Sequence, residues 1–354
     1  MPQQQKAIIS GTGLIGGSVG MALRRDGWHV TGFDTDPQRT TDAIAVGAID
    51  RIGEPGPYDL GVVATPVDQL AGAAQQLLEA GTKLVTDVGS VKTPVATEIT
   101  DPRFVAGHPM AGNEQKGLTG SSAELFDGAV WVLTPTVHTD DNTLTEVRKI
   151  VTEFGAQAIV LTPEKHDRLV ALVSHVPMLT ATTLVRVARR WSSEHRAVLR
   201  LAAGGFRDMT RIASANSAIW PGICSANSTA IIEALEQLID ELKELRGIVA
   251  GNDTDELLAR LEEARKTRLN LPTTAPETSK LVELRVIIPD EKGQLAKIAM
   301  LAADLDINIY DIHIVHSVEG PHGLITILIQ SDSAPQMRDS LIELGYRPLI
   351  VNLG

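Results

Sequence analysis

The chain has 354 residues, 43% of them hydrophobic and 21% charged, with a net charge of −12. That length allows two or three domains, and the acidic balance argues against nucleic acid and anionic membranes as partners without excluding an anionic small molecule held by local arginines. The single cysteine, Cys224, rules out an intrachain disulfide and fits a reducing cytoplasm; the N-terminus shows no signal pattern, and no apolar run approaches the roughly 20 residues of a membrane span.

The first predicted strand, Ala7–Ser10, runs into Gly11-x-Gly13-x-x-Gly16 and then into a helix over 14–26. Gly11 permits a tight turn, Gly13 lets backbone approach a pyrophosphate, and Gly16 lets the helix pack on the strand. Leu14 and Ile15 complete the loop, and the open N–H groups of the helix start suit phosphate. Asp34 follows at the end of the second strand, Val30–Phe33, placed to accept hydrogen bonds from a ribose. Its charge favours NAD over NADP, since a neighbouring 2′-phosphate would be repelled by about 4 kcal/mol per charge pair at an effective dielectric of 20. Arg39 reads as a solvated arginine at a helix start.

Further strands are expected at Leu60–Ala64, Leu84–Asp87, Phe104–Gly107, Val130–Thr134 and Ala158–Leu161, with helices near 36–46, 68–80, 90–99 and 142–154. This alternation implies a largely parallel, doubly wound sheet with ligands beyond the carboxyl ends of its strands, where Thr65 and the 87–90 segment lie. From about Pro163 the texture becomes helical. His166–Trp191 is apolar at helical spacing, with a kink expected at Pro177. Helices are also expected at 195–201, 220–247 and 253–267, with more apolar surface than one layer over a sheet needs, so a helical dimerisation domain follows. Residues 271–279 read as a linker, and a βαββαβ unit closes the chain. The domain reading is 1–162, 163–270, linker 271–279 and 280–354.

Three clusters concentrate polar groups: Asp87 to Lys92, Gly107 to Glu114, and Gly205 to Ala213. His108, in a loop bounded by glycine and proline at a strand end, reads equally as a general base and as a loop histidine bonded to backbone. Ser90 could orient it. Arg211 could hold a carboxylate through two parallel bonds, although a helix-surface ion pair is the ordinary reading of such an arginine. Glu114 alone reads as a solvated acid. His175, beside Pro177, reads equally as a core histidine and as a pocket residue. No spacing suggests a metal site.

Together, Gly-Thr-Gly-Leu-Ile-Gly-Gly-Ser (11–18), Asp-Val-Gly-Ser-Val-Lys (87–92), Gly-His-Pro-Met-Ala-Gly-Asn-Glu (107–114), His-Asp-Arg-Leu-Val-Ala (166–171), Val-Ser-His-Val-Pro (173–177) and Gly-Phe-Arg-Asp-Met-Thr-Arg-Ile-Ala (205–213) resemble prephenate dehydrogenases. The last 75 residues resemble an ACT regulatory domain through Pro-Asp-Glu-Lys-Gly-Gln-Leu (289–295) and Ile-Asn-Ile (307–309). The resemblance implies a Rossmann domain, a helical dimerisation domain and a ferredoxin-like ACT domain. The implied reaction is NAD-dependent oxidative decarboxylation of prephenate to 4-hydroxyphenylpyruvate, in tyrosine biosynthesis, by a cytoplasmic homodimer.

In the implied site, His108 accepts the ring hydroxyl's proton, Ser90 positions His108 and the hydroxyl, and Arg211 binds the ring carboxylate. Glu114 stands at the pocket mouth, and Trp220 reaches the substrate side chain. Gly11, Gly13, Leu14, Ile15, Gly16, Asp34 and Thr65 hold the cofactor. Asp290, Gly293, Leu295 and Asn308 form an amino-acid effector site, with tyrosine as first candidate. Met178 departs from the pattern, where relatives carry a histidine, which leaves arogenate open as substrate. A β-hydroxyacid dehydrogenase would need a late helical lysine with no convincing equivalent here, and an NAD-responsive regulator would not need the His108, Ser90 and Arg211 set.

Overall fold

The computed structural model describes residues 4–112, 115, 117–194, 197–198, 200–269, 281–289, 291–315 and 322–352. The chain divides into two compact units, 1–241 and 242–354. The first opens with an eight-stranded sheet made of β1 (Lys6–Ser10), β2 (His29–Phe33), β3 (Arg51–Ile52), β4 (Leu60–Val63), β5 (Leu84–Asp87), β6 (Phe104–Pro109), β7 (Val130–Thr134) and β8 (Gln157–Val160). Their order is β3-β2-β1-β4-β5-β6-β7-β8. Neighbours run parallel except β6 and β7, which are antiparallel. The first six strands thus have the 3-2-1-4-5-6 order of a dinucleotide-binding sheet.

The strands are continuous apolar runs because both faces are covered. Successive side chains enter opposite cores. Ile9, Val30 and Val62 join Leu23, Trp131 and Val147 on one side, while Ile8, Val63 and Val85 join Leu70 and Leu77 on the other. The covering helices are α1 (Leu14–Arg25), α2 (Pro37–Ala45), α3 (Leu70–Glu79), α4 (Thr93–Glu98) and α5 (Asp141–Glu153). Most match the expected spans within a few residues. The two-residue β3 was not expected, being too short to carry a period. His108 lies inside β6, not in a loop beyond it, because β7 pairs antiparallel with β6 out to Pro109.

After β8, Thr162 caps the next helix by accepting from the Lys165 N–H, and Pro163 takes the first helical position. Helix α6 (Pro163–Val170) passes through a π turn, Ala171–His175, into α7 (Val176–Glu194). Pro177 has no N–H and crowds the carbonyl four residues back, and the widened turn just before it takes up that misfit. The run begins at Pro163, earlier than the expected His166. Next come α8 (Gly204–Thr210), the 3-10 turns Arg211–Ser214 and Ser217–Ile219, α9 (Trp220–Ala226), α10 (Ser228–Gly251) and α11 (Thr254–Leu269). The helix expected at 220–247 is broken at Asn227. Of the helix expected at 195–201, residues 197, 198 and 200 form turns, and 195, 196 and 199 lie outside the described residues.

The run Pro163–Ser192 is long and apolar enough, by length and composition, to cross a membrane, contrary to the expectation of only short apolar runs. Its buried His166, Asp167 and His175 are hydrogen-bonded to side chains and backbone elsewhere in the first unit, which lipid could not provide. Exposed apolar residues lie along α6 to α7 (Leu169, Val173, Val187) and α10 (Ile232, Ile239, Val249).

In the second unit, β9 (Leu281–Pro289), α12 (Gln294–Asp304), β10 (Asp311–Val315), β11 (His322–Gln330), α13 (Ala334–Glu343) and β12 (Arg347–Asn352) follow the expected βαββαβ sequence. They form an antiparallel sheet in the order β10-β11-β9-β12. Leu284, Val286 and Ile288 pack with Ile298, Met337 and Leu341, while Arg285 and Ile287 alternate onto the exposed face. The expected linker, 271–279, lies outside the described residues.

The join between β1 and α1 leaves no room for side chains at Gly11 and Gly16. Gly11 has φ +96°, and a Cβ there would stand 2.5 Å from the Ala64 carbonyl oxygen. A Cβ on Gly16 would stand 2.0 Å from the Gly11 carbonyl oxygen. Gly16→Ala must push α1 off the loop, so it should destabilise the protein by about 1–3 kcal/mol and weaken NAD binding together. Urea unfolding and a cofactor titration of the variant check this; an unchanged unfolding midpoint contradicts it.

Candidate active site

The glycine loop leaves a defined space beside it. A Cβ on Gly13 would meet nothing within 4 Å, and no side chain caps the start of α1. Both features fit a phosphate group lying against the helix start. Asp34, half-buried at the end of β2, accepts from the Thr12 N–H at 2.9 Å, from the Thr12 hydroxyl at 3.3 Å and from the Asp36 N–H at 3.0 Å. Three of its roughly four lone-pair sites are thus used to fix it against the loop. Arg39 pairs with Asp36 at 3.7 Å on the surface, as a solvated helix-start arginine should. After β4, Thr65 holds a buried hydroxyl with no hydrogen-bond partner. An orphaned donor there fits a polar ligand group, so the loop, Asp34 and Thr65 together suit a dinucleotide.

Beyond β5 the backbone is organised around a buried ion pair. Lys92 and Asp87 are both fully buried, and the ammonium donates to the Asp87 carboxylate. It also donates to the Gly107 carbonyl at 2.8 Å. Asp87 in turn accepts from the Gly89 N–H at 2.8 Å and the Gly107 N–H at 3.1 Å. Burial lowers the Lys92 pKa, and the Asp87 and Asp167 carboxylates oppose that fall. Both polar groups of Gly107 are therefore fixed by one ion pair, one residue before His108.

His108 is only partly buried. Its Nδ1 lies 2.8 Å from Nε2 of His166, with the two rings edge to face at 73°. His166 is fully buried, and its Nδ1 donates to Asp167 at 2.7 Å. Asp167 also accepts the N–H groups of Lys92 and Thr93, each at 2.8 Å. Burial raises the Asp167 pKa, but the bonds from His166, Thr93 and Lys92 outweigh it and hold the carboxyl below its usual range. Burial, then electrostatic interaction with His166, Lys92 and His175, pushes the His108 imidazole well below its ordinary pKa. His108 is thus held neutral at physiological pH, the state a base requires. Among the described residues Ser90 makes no hydrogen bond to His108, whose Nδ1 meets His166 instead.

His175, also buried, sits 3.3 Å through Nδ1 from the Asn227 amide, which donates to the Asp167 carbonyl at 2.8 Å. Burial lowers its pKa to about 4, with Asp167 opposing. The Trp220 ring meets it edge-on, centroids 6.0 Å apart, and the buried Trp220 Nε1 has no hydrogen-bond partner. Met178 is buried one turn further along, a position without a donor where the expected pattern has one. Arg211 opens an exposed 3-10 turn. In the second unit Gly293 (φ +90°) starts α12, while Leu295 and Asn308 are exposed. Glu114 and Asp290 lie outside the described residues.

His166, Asp167 and Asn227 are the site residues that sequence reasoning did not assign. The first two belong to a quoted motif, but an acid and a histidine in the first turns of a helix look like a solvated face until tertiary structure buries them. Lys92→Met would leave the Asp87 carboxylate buried without its cation. It should destabilise the protein by about 3–5 kcal/mol in urea unfolding, and adding Asp87→Asn should recover part of the loss. Equal midpoints for Lys92→Met and the wild type would show that the ion pair is not what holds this edge.

Comparison with known proteins fits this geometry. A model of the prephenate dehydrogenase nucleotide-binding domain matches residues 19–161, and one of the prephenate dehydrogenase dimerization domain matches residues 162–263. The prephenate dehydrogenase of Bacillus subtilis (strain 168) is 31% identical over 352 residues, 95% of each chain. Among solved structures, prephenate dehydrogenase from A. aeolicus in complex with hydroxyphenyl propionate and NAD+ is similar with a TM-score of 0.72 and 30% identity, covering 76% of this chain and 99% of that one. Synechocystis arogenate dehydrogenase is similar with a TM-score of 0.65 and 27% identity, covering 75% and 99%. With a dinucleotide loop after β1 and a histidine near the end of β6, this chain belongs to the prephenate dehydrogenase family and is an NAD-dependent dehydrogenase.

Proposed function

We propose that the protein catalyses NAD-dependent oxidative decarboxylation of prephenate to 4-hydroxyphenylpyruvate. The observation that carries this reading is His108, held neutral by its buried surroundings at the carboxyl edge of the sheet. NAD, when bound by Gly11, Gly13, Leu14, Ile15, Gly16, Asp34 and Thr65, supplies the hydride acceptor. His108 takes the proton of the ring hydroxyl, and loss of carbon dioxide leaves an aromatic ring, which makes the step strongly downhill. Ser90 is assigned to the substrate hydroxyl, Arg211 to the ring carboxylate, Glu114 to the pocket mouth, and Trp220, backed by His175, to the substrate side chain. Arogenate is the second reading, favoured by the buried Met178, which offers no hydrogen-bond donor to the side-chain keto oxygen that prephenate has and arogenate lacks. No candidate metal cluster occurs among the described residues.

The domain assignment is 1–162 for cofactor, 163–270 for substrate and dimerisation, and 280–354 for regulation, in a homodimer working in the cytoplasm. The exposed apolar stripes of α7 and α10 support self-association. The second unit is assigned as an ACT domain on its βαββαβ order and its antiparallel sheet. Tyrosine is assigned as its effector, at Asp290, Gly293, Leu295 and Asn308.

Absorbance at 340 nm with NAD, given prephenate and then arogenate, tests the activity. His108→Asn should keep NAD affinity and lower kcat by roughly 10²–10⁴. The pH profile has a definite sign. The neutral imidazole prevails above its lowered pKa, so kcat/KM should hold as pH falls through the ordinary value of 6.5 and drop only further down. A loss centred at or above that value, or a His108→Asn variant within a few-fold of wild type, removes His108 from the role.

Tyrosine titrated into the full chain should lower its activity, and a chain ending near Thr274 should resist. Equal inhibition of both would move tyrosine to the active site. No inhibition of either, across the other aromatic amino acids as well, would leave the second unit a structural role.

A further inference from the structure

Three side chains from two separate stretches of sequence form one hydrogen-bonded row: Asp167 Oδ1, His166 Nδ1 at 2.7 Å, His166 Nε2, and His108 Nδ1 at 2.8 Å. The acid end is fully anchored, since both Asp167 oxygens also accept backbone N–H groups, from Lys92 and Thr93. His166 is fully buried and Asp167 nearly so, which excludes water as an alternative partner along the row. The groups of other elements that face the row are Lys92 with its partner Asp87, and His175.

We propose that Asp167 and His166 are positioning residues for the base, fixing the proton of His108 on Nδ1 so that Nε2 carries the lone pair that takes the substrate's proton. An ionised carboxylate can only accept, so His166 Nδ1 must donate to Asp167. A neutral His166 then offers only a lone pair at Nε2, and His108 Nδ1 must donate to it. When His108 takes up a proton at Nε2, the imidazolium keeps its Nδ1–H bond into a row that ends on a negative charge. The row thereby steadies both states of the base and holds its ring plane. This inference rests on the oxidative reading above.

The test compares Asp167→Asn, His166→Leu and His166→Gln with wild type. Asp167→Asn can turn an amide N–H towards His166 and reverse every donor in the row, leaving His108 Nε2 protonated. Its kcat should fall about 100-fold or more, while KM for NAD changes little. His166→Leu removes the acceptor and should fall comparably. His166→Gln places a carbonyl oxygen near the lost Nε2, restores the acceptor and should return kcat to within about tenfold of wild type.

Nitrogen-15 NMR of histidine-labelled wild type, assigned with His108→Asn, should show His108 as the Nδ1–H tautomer. This readout needs no variant of the row to fold. The Nε2–H tautomer in wild type, kcat within a few-fold for Asp167→Asn and His166→Leu, or equal losses for His166→Gln and His166→Leu would each overturn the proposal. A wild-type enzyme that oxidises neither prephenate nor arogenate would instead overturn the reading beneath it, and the tautomer measurement would still decide the row.

Discussion

The catalytic edge of this molecule depends on burying one lysine. Lys92 has no contact with water, and its charge is met by a single carboxylate and a single carbonyl. Burying such a pair is costly and rarely stabilises more than an apolar replacement would. What it provides here is geometry. Asp87 and Lys92 grip Gly107 by its N–H and its carbonyl, and the next residue is His108, the proposed base. The Lys92 backbone N–H meanwhile binds Asp167, so one residue ties the end of β5, the middle of β6 and the first turns of α6 to a common point.

That convergence explains why the site is built from segments far apart in sequence. The sheet supplies a rigid edge and a dinucleotide loop, but no third group to steady a histidine. The helical segment supplies it. Asp167 serves as a hydrogen-bond acceptor for the start of α4 and as the end of the histidine row. The same helix contributes His175 one π turn later. The low dielectric that makes these contacts strong also keeps His108 neutral. Placing a second histidine and a lysine beside a base lowers its proton affinity, and the Asp167 carboxylate limits that effect.

The strands were legible because a sheet covered on both faces writes itself as short apolar runs, with Ile8 and Ile9 facing opposite cores. The glycine loop was legible because three glycines at fixed spacing sit between an apolar strand and a helix, and one of the collisions they avoid, Gly16 against Gly11, is local. The βαββαβ order of the second unit was legible from a different pattern, strands such as β9 in which buried Leu284, Val286 and Ile288 alternate with exposed Arg285 and Ile287. What periodicity could not carry was tertiary. A single π turn shifts the apolar spacing by only about one residue, too little to stand out in the sequence, so Pro177 read as a kink. Asn227 lies inside the helix expected at 220–247, and its amide bonds to Asp167 and His175 at the point where that helix is broken. His166 looked like surface because its burial comes from Asp167, Lys92 and Thr93, and no local pattern encodes that meeting. Ser90 drew the orienting role because it lies in a conspicuous strand-end motif, while the partner that takes the role enters from a different segment.

The break at Asn227 has a bearing on engineering. The residue closes α9 and opens the way into α10, whose outward side carries Ile232, Ile239 and Val249. Its amide is at the same time a strut beneath His175 and the first turns of the site helix. Surface redesign on the first turn of α10, whether to raise solubility or to graft a new partner, would therefore act next to the residue that bonds His175 and Asp167. A library that varies that surface should hold 227–231 constant, or it will select on turnover while appearing to select on surface.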